Sequence, residues 1–498
     1  MKPYILAIDA GTTSSRAIIF DKDTKKIGIG QFEFTQHFPK PSWVEHDALE
    51  ILQTQIKAIK AAFKQAKIHP TEIEAVGITN QRETTILWNA ETGQPIHHAI
   101  VWQDRRTANF CNQISAENKA MVTAKTGLIV DAYFSASKIR WILNNVEGAR
   151  DLADQGKLRF GTVDSWLIWH LSGGQSHITD ATNASRTMLY NIHTGEWDKE
   201  LCELFDVPAS LLPTVVDSSG VVAHTSGEII GSSVPIAGIA GDQQSALFGQ
   251  LCFEKGEAKN TYGTGCFAIT NTGKNIVSSS NRLLSTVAWQ INGELTYALE
   301  GSVYVAGALV QWLRDGLKII SKSEDVEDLA LQEGHSGGIT IVPALTGLGA
   351  PHWDGYARGS IMGITRGTND SHIAYAALEA IALSTADVLE AMAKDMNTPL
   401  KSIKVDGGAS ANDTMMQLQA NLLDCQVVRP AETESTALGA ALLAGLGTGI
   451  YKDLEELKGL LQVDFSFEPE GGDYALVRKN WNQAIFASKG WITPEDDE

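Results

Sequence analysis

Two apolar runs near the start of the chain, residues 5–8 and 17–20, flank a polar stretch, Gly11-Thr12-Thr13-Ser14-Ser15. Apolar runs on either side of a glycine-led polar turn predict a β-hairpin with a polar tip. Such a tip gathers backbone N–H groups and hydroxyls in one concavity, which suits a phosphate. Asp9 ends the first run, where it can face the metal that accompanies a phosphate, and Arg16 adds a fixed positive charge. On this stretch alone an ordinary hairpin is the simpler reading. After a turn at 21–26, residues 27–35 predict a third strand. Asp47 then predicts a helix cap with Glu50 as its capping-box partner. Leu49, Leu52, Ile56, Ile59 and Phe63 recur at three-four spacing and predict the core-facing stripe of that helix, which ends at His69-Pro70. The strand 75–79 runs directly into Asn80-Gln81-Arg82-Glu83-Thr84. Three strands, a helix and a strand describe an α/β domain with a mixed sheet.

The pattern continues with helices at 137–144 and 164–171 and a long Pro/Ser/Gly-rich loop region, with Pro208, Pro213 and the stretch 217–233. A buried strand, 236–240, leads into Gly241-Asp242-Gln243-Gln244 and a helix, and a boundary falls near 250–257. The second half opens as the first did. Residues 258–262, the turn Gly263-Thr264-Gly265 and residues 266–270 predict another strand–turn–strand. A long helix (371–394), a strand (403–405) ending in Asp406-Gly407-Gly408, a helix from Asn412 through Asp424, a strand (426–428) and a small-residue helix (436–446) follow. The order of shapes repeats although the residues do not, which predicts two duplicated domains, 1–250 and 251–498.

Composition narrows the class. A chain of 498 residues exceeds what one core serves, and 43% hydrophobic with 20% charged residues is ordinary globular composition. A formal charge of −19 argues against nucleic acid as a partner. Five cysteines, scattered and never as Cys-x-x-Cys, suggest neither a disulfide framework nor a zinc site. No apolar run is long enough to span a membrane, and a cytoplasmic location is expected. A P-loop needs Gly-x-x-x-x-Gly-Lys-Ser/Thr, but Gly156-Lys157 and Gly273-Lys274 are followed by Leu158 and Asn275. No Gly-x-Gly-x-x-Gly follows the first strand, so a Rossmann site fails as well.

Five pieces remain in order: Asp9 to Arg16, Gly238 to Gly249, Tyr262 to Cys266, Asp406 to Asn412 and Thr436 to Gly447. Together they resemble the phosphate 1, connect 1, phosphate 2, adenosine and connect 2 motifs of the actin, Hsp70 and sugar-kinase superfamily. Within it, Tyr133-Phe134-Ser135 through Lys138 to Trp141-Ile142, and Gly359-Ser360-Ile361-Met362-Gly363-Ile364 followed by His372-Ile373 and Ala377-Leu378-Glu379, resemble the two signatures of the FGGY carbohydrate kinases. The segments from Ile78 to Thr85, Trp102-Gln103, Ala240 to Gln244 and Tyr262 to Phe267 are similar to those of the members that phosphorylate glycerol. The resemblance implies two actin-like (ribonuclease H-like) α/β domains with mixed sheets facing across an ATP cleft and hinge. It implies ATP-dependent phosphorylation of glycerol to sn-glycerol 3-phosphate, with another polyol or a ketose as the alternative substrate. A nucleotide switch for a protein partner is a weaker alternative, because it has no use for the polar pocket set. A homo-oligomer, dimer or tetramer, is the expected assembly.

Carried over position by position, the resemblance places glycerol on Arg82, Glu83, Tyr133, Asp242 and Gln243, with Phe267 as the apolar contact and Trp102 as a further wall. Taken alone, Arg82-Glu83 reads as a surface ion pair of little worth, and Asp242 as a helix cap. The family reading makes Asp242 the general base and sets Asp9, with Asp242, toward Mg²⁺. The nucleotide falls to Thr12, Thr13, Ser14, Arg16, Thr264, Gly307, Gln311, Gly408 and Asn412. Gly307 has a plain alternative as a close-contact glycine. Ala10 stands where many of these kinases carry Gln, and the loop 224–234 lacks the Gly-Thr-Arg segment and the aromatic-flanked His that serve regulation in some of them. His224 therefore reads as a surface residue.

Overall fold

The computed structural model describes residues 4–432, 434–460 and 462–492. Among the described residues, thirteen strands form one continuous sheet. In chain order they are β1 (Tyr4–Ala10), β2 (Ser14–Asp21), β3 (Lys26–Glu33), β4 (Ile73–Asn80), β5 (Ser219–His224), β6 (Pro235–Gly241), β7 (Glu257–Tyr262), β8 (Cys266–Gly273), β9 (Leu284–Ile291), β10 (Glu294–Val303), β11 (Ser402–Asp406), β12 (Val427–Pro430) and β13 (Val463–Phe467). Their order across the sheet is β13-β12-β11-β7-β8-β10-β9-β5-β6-β4-β1-β2-β3.

The strand pairing repeats in the two halves. In the first half, β1 pairs antiparallel with β2 and parallel with β4, β4 lies parallel to β6, and β6 is closed by antiparallel β5. In the second half, β7 pairs antiparallel with β8 and parallel with β11, β11 lies parallel to β12, and antiparallel β13 closes that side. Each half thus carries one hairpin beside a parallel pair. The halves meet where β5 lies against β9, in register only at Ser219 and Ile291.

The local signals mostly form the elements expected, with instructive exceptions. The first helix, α1 (Ala48–Ala66), is capped by Asp47, whose carboxylate accepts from the Leu49 N–H. Glu50 does not close a capping box; its carboxylate accepts from the N–H and hydroxyl of Thr35 at 3.1 Å each. The stripe is displaced as well. The buried face is Ala48, Ile51, Gln55, Ala58, Ile59 and Ala62, while Leu49, Leu52, Ile56 and Phe63 are only half-buried. Gly28 and Gly30 of β3 explain the shift: a Cβ on either would stand 2.4 or 2.2 Å from a carbonyl oxygen of α1, so the helix backbone seats directly on the strand. The stretch 217–233, expected to be loop, contains β5, an integral strand of the sheet.

Further helices are α2 (Ser135–Asn145), α3 (Val163–Leu171), α4 (Asp242–Gly249), α5 (Gly307–Trp312), α6 (Asp370–Met396), α7 (Asp413–Leu423) and α8 (Ser435–Gly447). Asn412 caps α7 through the Met415 N–H, and Asp424 ends it in the left-handed region. Each half has its own apolar core, and a third cluster, including Ile5, Phe20, Leu247, Phe248, Trp289 and Leu442, is shared between them. The five cysteines are free and buried. No helix among the described residues is long and apolar enough to cross a membrane.

The elements expected to cross at the hinge, α4 and α8, touch backbone to backbone. A Cβ on Gly439 would lie 1.8 Å from the Ser245 carbonyl oxygen, one on Gly249 2.1 Å from that of Ser435, and one on Gly77 of β4 2.1 Å from that of Ala440. No rotamer change relieves a clash with a carbonyl. Gly439→Ala is therefore expected to lower stability by about 3 kcal/mol, the upper range for overpacking. Urea denaturation of the two proteins checks this, and an unchanged midpoint would refute the contact.

Candidate active site

The side chains at the centre of the molecule stand just past strand ends, as Arg82, Glu83 and Asp242 do, or inside strands, as Lys259 and Glu300 do. Arg82 and Glu83 follow β4, and Glu83 turns the chain with φ +60°. Such a backbone angle is costly outside glycine and is kept where the surroundings over-determine it. Here the Glu83 carbonyl accepts from the hydroxyls of Ser135 (3.0 Å) and Thr85 (3.1 Å). Asn80 exchanges amide hydrogen bonds with Asn183 at 3.0 and 3.1 Å, and the Thr182 hydroxyl accepts from the Gly241 N–H at 2.8 Å. These bonds fix the turn that carries Arg186 against the ends of both β4 and β6.

The charges form a closed set. Arg82 Nη1 donates to Glu300 Oε2 at 2.5 Å and Nη2 to Glu300 Oε1 at 3.0 Å. Arg186 Nη2 donates to the same Oε1 at 3.0 Å, and its Nε donates to Glu83 Oε1 at 2.6 Å. Arg82, Glu83, Arg186 and Glu300 are 3%, 1%, 0% and 4% exposed, so the surface-pair reading of Arg82-Glu83 is wrong. Burial pushes the Glu300 carboxyl up, but Arg186 and Arg82 outweigh it and hold it at about 2. Burial likewise raises Glu83, opposed by the same two arginines.

Asp242 is the first residue of α4 and not its cap, a position held by Gly241. Its Oδ1 accepts from the Gln243 N–H at 2.7 Å and lies 3.2 Å from Arg82 Nε, with the side chain about one-third exposed at 32%. Burial raises its carboxyl, with Arg82 and then Lys259 pulling the other way. Gly241 has a steric duty, since a Cβ there would strike the Arg82 stem at 2.6 Å. Lys259 of β7 donates to Gln243 Oε1 at 2.5 Å and to the Thr261 hydroxyl at 2.9 Å.

Aromatic rings stand beside this polar set. Trp102 and Tyr133 pack edge to face with centroids 5.6 Å apart, and Trp102 Nε1 donates to the Thr12 hydroxyl at 3.1 Å. Lys138 of α2, fully buried, donates to the Tyr133 carbonyl at 2.5 Å and holds that turn. Phe267, half-buried on β8, pairs across the sheet with Ser302, two residues beyond Glu300.

The expected nucleotide residues divide by half. Thr264, Gly307, Gln311, Gly408 and Asn412 line one cavity of about 420 Å³, together with Leu378, Ile381 and Met415. A Cβ on Gly408 would meet no protein atom within 4 Å, so any side chain there enters the open space. Gly307 also has the plain duty, since a Cβ on it would lie 2.6 Å from the Gly263 carbonyl. In the first hairpin, the Gly11 N–H donates to the Ser14 carbonyl at 3.0 Å and closes the tip. Ser14 is buried with its hydroxyl accepting from Gln31, whereas Thr13 is exposed. Arg16 pairs with Glu434 and stands 4.0 Å from Asp9. Ala10 is fully buried and contributes no side-chain hydrogen bond. His224 is exposed at the end of β5.

Comparison with known proteins identifies the frame. The model of the N-terminal domain of the FGGY family of carbohydrate kinases matches residues 4–249, and that of its C-terminal domain matches 258–448. The chain belongs to the FGGY family of carbohydrate kinases. This FGGY kinase is 57% identical to a glycerol kinase of Deinococcus radiodurans over 496 residues, covering 99% of this chain and 98% of that one. It is 56% identical to a glycerol kinase of Aromatoleum aromaticum, covering 98% and 99%. Among solved structures it resembles the glycerol kinase of Plasmodium falciparum with ADP, at 35% identity, TM-score 0.93 and 98% coverage of both chains. A xylulose kinase of Lactobacillus acidophilus, 23% identical with TM-score 0.86, shares the fold.

Four residues of the FGGY site escape sequence reasoning: Arg186, Gln244, Lys259 and Glu300. Gln244 Oε1 accepts from Arg82 at 3.1 Å. A signal existed for two of them. Lys259 and Glu300 are charges at interior positions of strands, away from the strand-end Glu257 and Glu294, and a buried charge needs a partner.

Asp9 has only a distant partner, Arg16 Nε at 4.0 Å, and that arginine is itself paired with Glu434. Burial, reinforced by Asp242 and Glu434 and opposed by Arg16, raises its carboxyl from 3.8 to about 6. The native state therefore holds that proton more tightly than the unfolded chain does. The contribution favours folding below about pH 4 and is lost as pH rises through about 6, a loss of about 3 kcal/mol at neutral pH. In the absence of divalent cations, Asp9→Asn should be more stable than wild type at pH 7.5 by a large part of that figure, with the gap closing toward pH 4. Chemical denaturation at the two pH values measures it; a variant less stable at pH 7.5 would contradict the assignment.

Proposed function

We propose that the chain transfers the γ-phosphoryl group of ATP to a terminal hydroxyl of glycerol, giving sn-glycerol 3-phosphate. The observation that carries this reading is the convergence of a polar set on one pair of strand ends. Arg82 Nε lies 3.9 Å from Glu83 Oε1 and 3.2 Å from Asp242 Oδ1, and Trp102 packs edge to face on Tyr133. A triol needs donors and acceptors for its hydroxyls and an apolar surface for its carbons, and this set supplies both. Arg82, Glu83, Tyr133, Asp242 and Gln243 bind the hydroxyls, and Trp102 and Phe267 face the carbons. The kinship with glycerol kinases supports the choice of glycerol over a ketose.

Phosphoryl transfer to an alcohol asks for an aligned nucleophile, a base and neutralisation of phosphate charge. Asp242 is the base. Its Oδ1 is engaged by the Gln243 N–H, and Oδ2 has no hydrogen-bond partner among the described residues, so it is free to accept the hydroxyl proton. The nucleoside occupies the cavity of Thr264, Gly307, Gln311, Gly408 and Asn412, and the phosphates extend from it toward Thr12, Thr13, Ser14 and Arg16. Asp9 suits a divalent cation: its carboxylate is buried, accepts no hydrogen bond among the described residues and feels two further acids. Mg²⁺ held there, directly or through water, with Asp242 facing the same space, would offset charge on the transferring phosphoryl group. A homo-oligomer is retained as the expected assembly.

A coupled ADP-release assay over a panel of polyols and ketoses tests the reading. Glycerol should give the highest kcat/KM, and absence of glycerol-dependent turnover in folded protein would sink it. Asp242→Asn should lower kcat by roughly 10²–10⁴-fold, the usual contribution of a general base, while ADP affinity measured by calorimetry is retained. Because the ligands span both halves, glycerol with a non-hydrolysable ATP analogue should compact the molecule. An unchanged radius of gyration in solution scattering would count against closure.

A further inference from the structure

We propose that Glu300, a residue of the second half, is the positioning residue of the substrate site in the first half. This rests on the glycerol reading above and adds a part to it. Arg82 lies 218 positions away from Glu300 in sequence, yet two of its N–H groups are spent on the Glu300 carboxylate and a third on Gln244. What remains toward Asp242 is chiefly the Nε–H, at 3.2 Å. The guanidinium therefore presents an edge to the pocket, while its fork is held on Glu300. Arg186 uses the same carboxylate oxygen and passes the constraint to Glu83, whose Oε1 it holds at 2.6 Å. One carboxylate thus sets the orientation of both members of the Arg82-Glu83 pair.

The alternative partner for the Arg82 fork is Asp242. An arginine released from Glu300 would swing its two terminal nitrogens onto that carboxylate, since bidentate pairing is the strongest arrangement open to it. Such a pair quenches the base and withdraws the donor from glycerol. Glu300 keeps the fork away from the base. The charged groups facing Asp242 are Arg82 after β4, Lys259 on β7, Glu300 on β10 and Asp9 on β1. β10 lies directly beside β8, the second strand of the Thr264 hairpin, so the carboxylate sits on the sheet that carries the nucleotide side. The glycerol site of the first half is set by a side chain of the second.

Glu300→Gln keeps the shape and removes the charge; Glu300→Asp keeps the charge on a stem one methylene shorter. The expected result for Glu300→Gln is a fall in kcat/KM for glycerol on the order of a hundredfold, as for a displaced positioning group. Its kcat should fall with the acid limb of the pH profile moved to lower pH, and ADP affinity should stay within about twofold of wild type. Glu300→Asp should recover about tenfold of the loss. A Glu300→Gln protein with a lowered melting temperature but wild-type kcat, KM and pH limb would overturn the proposal, leaving a structural ion pair. Should neither variant fold, the wild type decides. The side-chain N–H resonances of Arg82 and Arg186 should be rigid and protected without glycerol, and an Arg82 that orders only on adding glycerol overturns it. Wild-type protein lacking glycerol-dependent turnover removes the substrate reading alone, and the arginine resonances still judge the arrangement.

Discussion

The site depends on one interaction, the sharing of the Glu300 carboxylate by Arg82 and Arg186. Charges this deeply buried are expensive to desolvate, and such pairs seldom exist for stability alone. Two features make them tolerable here. The set is balanced, with two arginines against Glu83 and Glu300, and each carboxylate accepts at least one bond of 3.0 Å or less. The cost is accepted where it fixes direction: Arg82 meets Asp242 edge-on, Glu83 is oriented through Arg186, and Gly241 leaves room for the Arg82 stem.

Around this rigid centre the two halves meet in close backbone contacts, with the Ser245 hydroxyl of α4 donating to the Thr436 carbonyl of α8 at 2.7 Å. The hinge elements α4 and α8 approach through Gly439 and Gly249, and β4 meets α8 through Gly77, all at distances that leave no room for a side chain. Close backbone contact of this kind permits small rotations without reshuffling interdigitated side chains, which suits the closure proposed above. Asp9 expresses the complementary compromise. Its weakly compensated carboxylate lowers the stability of the free protein, the usual relation between a proposed site and its scaffold.

Much of this was legible from the residues. The two glycine-bearing hairpins, the helix from Asn412 to Asp424 and the repeated order of elements follow from short-range rules of turns, caps and periodicity. What was missed follows from long-range contact. The α1 stripe of large residues lost the core to Ala58 and Ala62 because Gly28 and Gly30 of β3 admit the helix backbone, a fact absent from the helix sequence. Glu50 left its capping role for Thr35, a partner fifteen residues away. The strand β5 lay hidden in a Ser/Gly-rich stretch because its place is decided by β6 and β9. The candidate site was legible where residues follow strand ends, as Arg82, Glu83 and Asp242 do. Arg186 and Glu300 were not, because their meaning is the pairing between them.

The narrow seam between the halves has a mechanical consequence. β5 and β9 share register only at Ser219 and Ile291, so the two plates of sheet are joined by an isthmus and not along a broad edge. A torque applied at the hairpin tips would act through the full breadth of each plate and fall on that isthmus and on the α4–α8 hinge contact. A twist of a few degrees there becomes a displacement of ångströms at the lips. The same leverage works in reverse: a ligand gripping both lips holds the isthmus still, and the whole sheet behaves as one stiff board for as long as the grip lasts.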